Sequence, residues 1–189
     1  MKPVWLMQPI PYFGEKIEGA WIWEKKLDGW RMQIIKTEDG EIEFWGRRLE
    51  KKPNWTERLR YLIPFIEKSI PEGTILDSEL CAFKGRRFIP SLFAASPKDK
   101  PLVYVFDVIY LNKEFVGNLP LERRKKILKE FNFKPPFYFL TFQKLKNIKE
   151  DFRKALSKNS EGMVIKKLDS FYMVGENAPI ASLYWRKIK

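Results

Sequence analysis

Short runs of β-branched and aromatic residues, each bounded by turn-forming residues, recur along this 189-residue chain. They predict β-strands at about 21–27, 30–37, 41–45, 74–83, 102–110, 137–142, 161–167 and 182–189. Segments 53–68, 120–130 and 147–158 instead predict helices, the first shortened at Pro64 and the last opened by a capping box at Asn147. The proline-containing residues 1–20 predict an extended arm. This pattern indicates one α+β domain over residues 1–189, with antiparallel β-sheets flanked by helices.

The most informative stretch runs from Glu24 to Arg31, where charged residues end one predicted strand and begin the next. A tight turn at Asp28-Gly29 joins the strands, and the alternation of side chains places Glu24 and Lys26 on one face. A lysine is a nucleophile only when neutral, which requires its pKa to fall by roughly three units, or about 4 kcal/mol. Burial, a neighbouring arginine or a divalent metal ion produces such a shift. On these residues alone, a surface lysine in a charged hairpin remains the alternative interpretation.

The composition excludes several kinds of chemistry. The chain has no histidine, which excludes Ser-His-Asp and Cys-His catalysis and imidazole metal sites. Its one cysteine, Cys81, excludes an intramolecular disulfide and lies in an apolar strand pattern, so we expect it in the core. The 36 Lys and Arg residues exceed the 24 Asp and Glu residues, and the resulting net charge of +12 favours a polyanionic partner such as nucleic acid. A lysine-rich thermophilic surface is the alternative.

The chain shows no membrane or export pattern. No apolar run reaches the roughly 18 residues that a membrane-spanning helix requires. The first residues also lack the apolar segment of a signal peptide. We therefore expect a cytoplasmic protein without a membrane partner.

Six short segments resemble, in order, the motifs of the covalent nucleotidyltransferases, the superfamily of ATP-dependent DNA ligases, RNA ligases and mRNA capping enzymes. These segments are KLDGWR (26–31), FWGRR (44–48), LDSEL (76–80), YVFD (104–107), EGMVIK (161–166) and WRKIK (185–189). Residues 110–124 resemble the bacterial and archaeal ATP-dependent DNA ligases in particular. The resemblance spans nearly the whole chain and implies the adenylation, or nucleotidyltransferase, domain of such a ligase.

This resemblance implies a role for each motif residue that contacts the nucleotide. Lys26 would attack the α-phosphate of ATP and carry AMP as a covalent intermediate. Glu24 would accept a hydrogen bond from the adenine amino group, which disfavours GTP, and Phe106 would stack on the adenine. Arg31 would hold the ribose or the end of the acceptor strand. Arg47 would bind the 5′-phosphate of a nick, which suits the planar fork of a guanidinium group.

The remaining motif residues are implied to act on phosphates and metal. Glu79 and Glu161 would contact the ribose and hold Mg²⁺, or Mn²⁺, which accepts the same oxygen ligands. Lys166, Lys187 and Lys189 would neutralise phosphate oxygens, with Lys187 and Lys189 acting in catalysis. Among the arginines, Arg48 would join Arg31 and Arg47 in binding DNA.

The resemblance also implies partners and leaves alternatives open. We expect nicked duplex DNA and ATP as substrates, and a monomeric, nucleoid-associated protein of a prokaryote. In this family an OB-fold domain usually follows the last motif, whereas this chain ends on it, so we expect a C-terminal OB-fold domain to be absent. The chain is then either the catalytic domain of a longer protein or a natural minimal protein that relies on an OB-fold domain or partner protein in trans. An RNA ligase using the same chemistry is an alternative, and so is a non-catalytic, basic nucleic-acid-binding module.

Overall fold

The computed structural model describes residues 1–156 and 160–189. The described strands are β1 Gln8–Pro11, β2 Trp21–Leu27, β3 Trp30–Lys36, β4 Ile42–Gly46, β5 Thr74–Ala82, β6 Pro101–Leu111, β7 Glu114–Phe115, β8 Phe137–Phe139, β9 Phe142–Lys144, β10 Ser160–Lys167 and β11 Ala181–Ile188. The described α-helices are α1 Thr56–Leu59, α2 Ile63–Ile66, α3 Leu121–Glu130 and α4 Ile148–Ala155. Short 3-10 helices occupy Leu49–Lys51, Arg60–Leu62, Arg86–Phe93 and Val116–Asn118. Across these ranges, no helix has the length and apolar character needed to cross a bilayer.

The strands form two sheets. The smaller sheet has the order β1-β11-β10-β2-β9, and the larger has the order β4-β3-β5-β6-β7 with β8 added beside β6. All pairs are antiparallel except β1 with β11 and β6 with β8, which are parallel. The predicted α+β class with mainly antiparallel sheets is therefore confirmed, with two parallel pairs that the sequence pattern did not predict.

The Asp28-Gly29 turn is not a hairpin. It joins β2 of the smaller sheet to β3 of the larger one, so the two strands pair with different neighbours. The turn itself was predicted correctly. Local sequence indicates where a chain turns, but the hydrogen-bond partners of each strand depend on residues far away in sequence.

Three clusters of buried apolar side chains hold these layers together. The largest packs helices α1 to α3 against the larger sheet through residues such as Leu59 and Leu128. The second lies between the sheets, where Ile35 and Phe106 of the larger sheet join Trp185 of the smaller one. The third packs α4 against β2 and β10. The sheets therefore face each other across a shared core, and Phe106 and Trp185 lie where that core meets the pocket described below.

Seven of the predicted strands agree with β2, β3, β4, β5, β6, β10 and β11 to within one residue at each end. The eighth prediction, 137–142, was wrong in extent, because β8 and β9 are separate strands in different sheets. The predicted arm at residues 1–20 contains β1, which pairs with β11.

The predicted helices differ from the structure mainly in length. The segment 53–68 is broken into α1, a 3-10 turn and α2, because Pro64 has no amide hydrogen and its ring crowds the preceding turn. The side chain of Asn147 accepts a hydrogen bond from the amide of Glu150 and so caps α4 as predicted. This helix ends at Ala155, and the predicted end at Lys158 lies outside the described residues.

Candidate active site

The turn between the sheets is packed so closely that it requires glycine. A Cβ atom on Gly29 would lie 2.6 Å from the carbonyl oxygen of Leu80 and 2.8 Å from Sγ of Cys81. Both distances are much shorter than van der Waals contact, and the Leu80 oxygen belongs to the backbone of β5. The close approach brings the end of β2, which carries Lys26, to the same pocket as Glu79 of β5.

An open pocket of about 690 Å³ lies at this junction, within the size range of small-molecule sites. It is lined by all eleven residues that the sequence predicted for the site. These residues are Glu24 and Lys26 on β2, Arg31 on β3, Arg47 and Arg48 after β4, Glu79 on β5, Phe106 on β6, Glu161 and Lys166 on β10, Lys187 on β11, and Lys189. The structure therefore brings together side chains from both sheets that are separated by up to 165 positions, Glu24 to Lys189.

One end of the pocket combines buried charge with aromatic rings. Lys166 Nζ lies 2.7 Å from Oε2 of Glu24, and both side chains are 2% exposed. The same ammonium lies 3.7 Å from the ring centroid of Trp185 and 4.5 Å from that of Phe106. Burial lowers the pKa of Lys166 to about 8, although Glu24 opposes the shift. Such a site, with an aromatic wall and a carboxylate acceptor, suits a planar ligand that carries an amino group.

The candidate nucleophile lies beside a shared carboxylate. Lys26 donates a hydrogen bond to Oε1 of Glu161, and Nζ of Lys189 lies 2.8 Å from the same oxygen. Partial burial disfavours the charge on Glu161, but the hydrogen bonds from Lys189 and Lys26 outweigh it and lower the pKa of Glu161. The Lys26 side chain is 20% exposed and lines the pocket.

Arg31 is held in place by several hydrogen bonds. Its Nε and Nη2 atoms donate to the two carboxylate oxygens of Asp77 at 2.9 and 2.6 Å, and Nη2 also donates to the carbonyl oxygen of Met7. The hydroxyl of Tyr172 donates to Asp77 at 2.7 Å. Burial disfavours the charge on Arg31, but the charge of Asp77 more than compensates and its pKa is raised. The guanidinium group therefore lines the pocket as a fixed permanent charge.

Glu79 is a carboxylate in a partly buried position. Burial raises the pKa of Glu79 to about 7, and the nearby charges of Arg31 and Lys26 only partly oppose this shift. Within residues 1–156 and 160–189, no three or more His, Cys, Asp or Glu side chains are arranged to hold a metal ion. The metal-binding role predicted for Glu79 and Glu161 therefore has no complete set of protein ligands among these residues.

Two of the three arginines expected to bind DNA, Arg47 and Arg48, lie at the rim of the pocket. Arg47 and Arg48 are exposed residues directly after β4, and Arg48 forms an ion pair with Glu50. Gly46, the residue directly before them, packs against Trp55 so closely that a Cβ atom on Gly46 would lie 2.5 Å from the indole ring. The packing of Trp55 thus fixes the start of the basic loop.

Several residues that support the site were not predicted from the sequence. Asp77 and Tyr172, which hold Arg31, were not assigned to it, and neither was Lys125, which donates to Glu24. Two signals were present in the sequence. Asp77 is a charge inside an apolar strand, and Lys125 falls at helical spacing between Leu121 and Leu128, on the face that packs against the sheet.

A comparison with known proteins identifies the family. The family described as "ATP dependent DNA ligase domain" matches residues 7–189, nearly the whole chain. The chain belongs to this family. ATP dependence is a property of the family, and both the predicted family and the predicted fold are confirmed.

Individual relatives of this ligase-family chain support the assignment. The DNA ligase of Caldivirga maquilingensis is 30% identical over 192 residues, which cover 92% of this chain. The ligase domain of M. tuberculosis LigD and a Chlorella virus DNA ligase-adenylate superpose with TM-scores of 0.68 each at 18% identity. Each superposition covers 97% of this chain. At that identity the two structures establish the fold alone.

The chain matches only part of these proteins. It spans 32% of the length of the Caldivirga maquilingensis ligase, 59% of the M. tuberculosis chain and 67% of the Chlorella virus chain. The relatives therefore contain further regions outside the matched domain.

Proposed function

We propose that this domain forms a lysyl-AMP intermediate at Lys26 and uses it to seal nicks in duplex DNA. The observation that carries the proposal is that the eleven predicted side chains, including the lysine of the KLDGWR motif, line one pocket. Two solved structures similar in fold support the choice of nucleotide. One is described as mycobacterial DNA ligase D complexed with ATP, and the other as a ligase-adenylate.

The first step would be attack by neutral Lys26 Nζ on the α-phosphorus of ATP. A nitrogen–phosphorus bond forms as the bond to the bridging oxygen breaks, and pyrophosphate leaves with that electron pair. In the structure Lys26 donates to Glu161, so this ion pair has to open and the lysine has to lose a proton before attack. Next, a 5′-phosphate oxygen at the nick attacks the same phosphorus and releases the lysine. Finally, the adjacent 3′-hydroxyl attacks the activated 5′-phosphate and AMP leaves.

The phosphate end of the pocket would be formed by cations and carboxylates. Lys187 and Lys189 would neutralise charge that develops on the phosphate oxygens. Glu79 and Glu161 fit Mg²⁺ or Mn²⁺, because a nucleotide-associated ion is commonly held by one or two carboxylates plus phosphate oxygens. When bound, the ion would polarise the α-phosphate and neutralise the triphosphate.

The base would bind at the aromatic end of the pocket. Phe106 would stack on adenine and Glu24 would accept a hydrogen bond from its amino group. Lys166, which the family resemblance assigns to phosphate binding, has its ammonium group against Glu24, Phe106 and Trp185. We therefore place Lys166 on the base side of the site.

The DNA would bind across the basic rim. Arg47 and Arg48 are exposed there, and Arg31 presents a fixed charge inside the pocket. Arg47 would bind the 5′-phosphate, while Arg48 would contact the backbone. An OB-fold domain, in the same polypeptide or in trans, would complete the enclosure of the duplex.

The decisive experiment is incubation with α-labelled ATP and Mg²⁺, followed by intact mass analysis under denaturing conditions. The wild type is expected to gain one AMP, and Lys26→Ala is expected to gain none. Lys16→Ala is the matched control, because Lys16 is an exposed lysine outside the pocket. Protein that is purified already adenylated would first be discharged with pyrophosphate. An adduct retained in Lys26→Ala, or none in the discharged wild type, would contradict the proposal.

The same preparation distinguishes the substrate strands. We expect sealing of a nick in duplex DNA by protein supplemented with an OB-fold domain. A requirement for RNA in the strand that supplies the 3′-hydroxyl would contradict a DNA ligase and favour an RNA ligase. Salt-sensitive DNA binding without any adduct would indicate a binding module instead.

A further inference from the structure

A buried cation outside the six motifs contacts the base end of the pocket. Lys125 lies on α3 and its side chain is 1% exposed. Its ammonium donates to Oε1 of Glu24 and, at 2.6 Å, to the carbonyl oxygen of Phe106. Both polar partners therefore belong to residues that the proposed function assigns to adenine binding.

Arg124, the residue before Lys125 on α3, is a buried cation whose contacts lie outside the pocket. Arg124 is fully buried and donates to Asp107 and to the carbonyl oxygens of Leu119 and Ser170. Neither Arg124 nor any of these three partners lines the pocket. Lys125 differs because its hydrogen bonds end on Glu24 and Phe106, two pocket-lining residues.

The geometry around Glu24 leaves it able to bind a ligand. Lys125 occupies Oε1 and Lys166 lies 2.7 Å from Oε2, so each carboxylate oxygen is held by one ammonium group. An ionised carboxylate has about four acceptor positions, so further positions remain for an amino group of the ligand. Without Lys125, the carboxylate would have a cation on one side only and would be free to turn towards Lys166.

We propose that Lys125 is a positioning residue that determines base specificity: it fixes the Glu24 carboxylate and the Phe106 backbone so that the pocket selects a purine with a 6-amino group. The inference rests on the proposed function. A fixed acceptor binds the 6-amino group of adenine and repels the 6-oxo oxygen of guanine. A purine without a 6-substituent leaves the acceptor unpaired and loses the hydrogen bond.

The test compares nucleotide binding by Lys125→Met, which is neutral and of similar length, with binding by the wild type. Calorimetric titrations would use ATP and purine riboside triphosphate, which lacks the 6-amino group. We expect the wild type to prefer ATP by about 10- to 100-fold, the value of a hydrogen bond to a charged group. K125M is expected to lose most of this preference through a weaker Kd for ATP, while the Kd for the analogue changes by less than about threefold.

The control is Lys126→Met, which removes an exposed lysine from the next position of the same helix. It should retain the preference of the wild type. In an E24Q background the K125M change should have no further effect on the ratio, because Lys125 acts through Glu24. If K125M does not fold, Lys125→Gln keeps a donor in the buried site, and its shorter side chain should reduce the same ratio.

Three results would overturn the inference: an unchanged ATP preference in K125M, an equal loss of affinity for both nucleotides, or an effect of K125M that persists in E24Q. Failure of the proposed function is distinguishable from these. A wild type that binds ATP with a Lys125-dependent preference but forms no lysyl-AMP would contradict the catalytic proposal and support this one. A wild type that binds neither nucleotide would contradict both.

Discussion

Replacing Glu79 with glutamine is expected to stabilise the nucleotide-free protein at alkaline pH. Burial raises the pKa of Glu79 from 4.5 to about 7. Because the pKa of Glu79 is higher in the folded protein than in the unfolded chain, protonation of this carboxyl group stabilises the folded state. This stabilisation is fully present below pH 4.5 and is lost as the pH rises through 7. A pKa difference of this size corresponds to about 3 kcal/mol. Glutamine does not ionise, so E79Q should unfold with a free energy up to about 3 kcal/mol larger than the wild type above about pH 8.

The assay is urea unfolding of both proteins, followed by tryptophan fluorescence, with chelator present and nucleotide absent. The difference between E79Q and wild type should be near zero at about pH 4.5 and should grow steadily to about pH 8.5. Glu41→Gln, at an exposed position, is the matched control and should show no such growth. A difference that is independent of pH, or a less stable E79Q at pH 8.5, would refute the reasoning. A confirmed difference would show that the site retains a carboxylate at the expense of stability.

Two further predictions concern the arginines. Asp77→Asn removes the charge that pairs with buried Arg31 and should lower the free energy of unfolding by about 3 kcal/mol. The control, Asp39→Asn at an exposed turn, should change it by less than about 0.5 kcal/mol. Urea titrations measure both free energies, and a loss below about 1 kcal/mol in D77N would contradict the role of the pair. Arg47→Ala should abolish the preference for a nick with a 5′-phosphate over one without it, and should reduce the salt slope of DNA binding by about 0.9. Fluorescence anisotropy with the two nicked duplexes measures this effect, and a preference retained by R47A would place the phosphate elsewhere.

The agreement between sequence and structure is closest where local pattern carries the information. The strand β6 was predicted within one residue because its apolar run is long and bounded by a proline-containing loop and a turn. The turn at Asp28-Gly29 was also predicted, since an Asp-Gly pair between two apolar runs is typical of a turn. The eleven site residues could be named because their motifs occur in the same order as those of a known family, and all eleven line the pocket.

The disagreements concern pairing between distant residues. Alternation of apolar and polar residues predicts which side chains share a face, but not which strand lies beside them. The charged-hairpin alternative for residues 21–37 was wrong for this reason, because β2 pairs with β9 and β10 while β3 pairs with β4 and β5. Similarly, the run 137–142 was divided between two sheets by the neighbours of β8 and β9.

The sequence by itself determined the chemistry available to this protein: no histidine, an excess of cations, and a lysine between Glu24 and Asp28 at the end of a strand. Only the tertiary structure decided how those charges are held. Lys125 reaches Glu24 across 101 positions, and Tyr172 reaches Asp77 across 95. The physical reason is that burying a charge is costly unless a partner is present, and that partner comes from whichever element packs nearby.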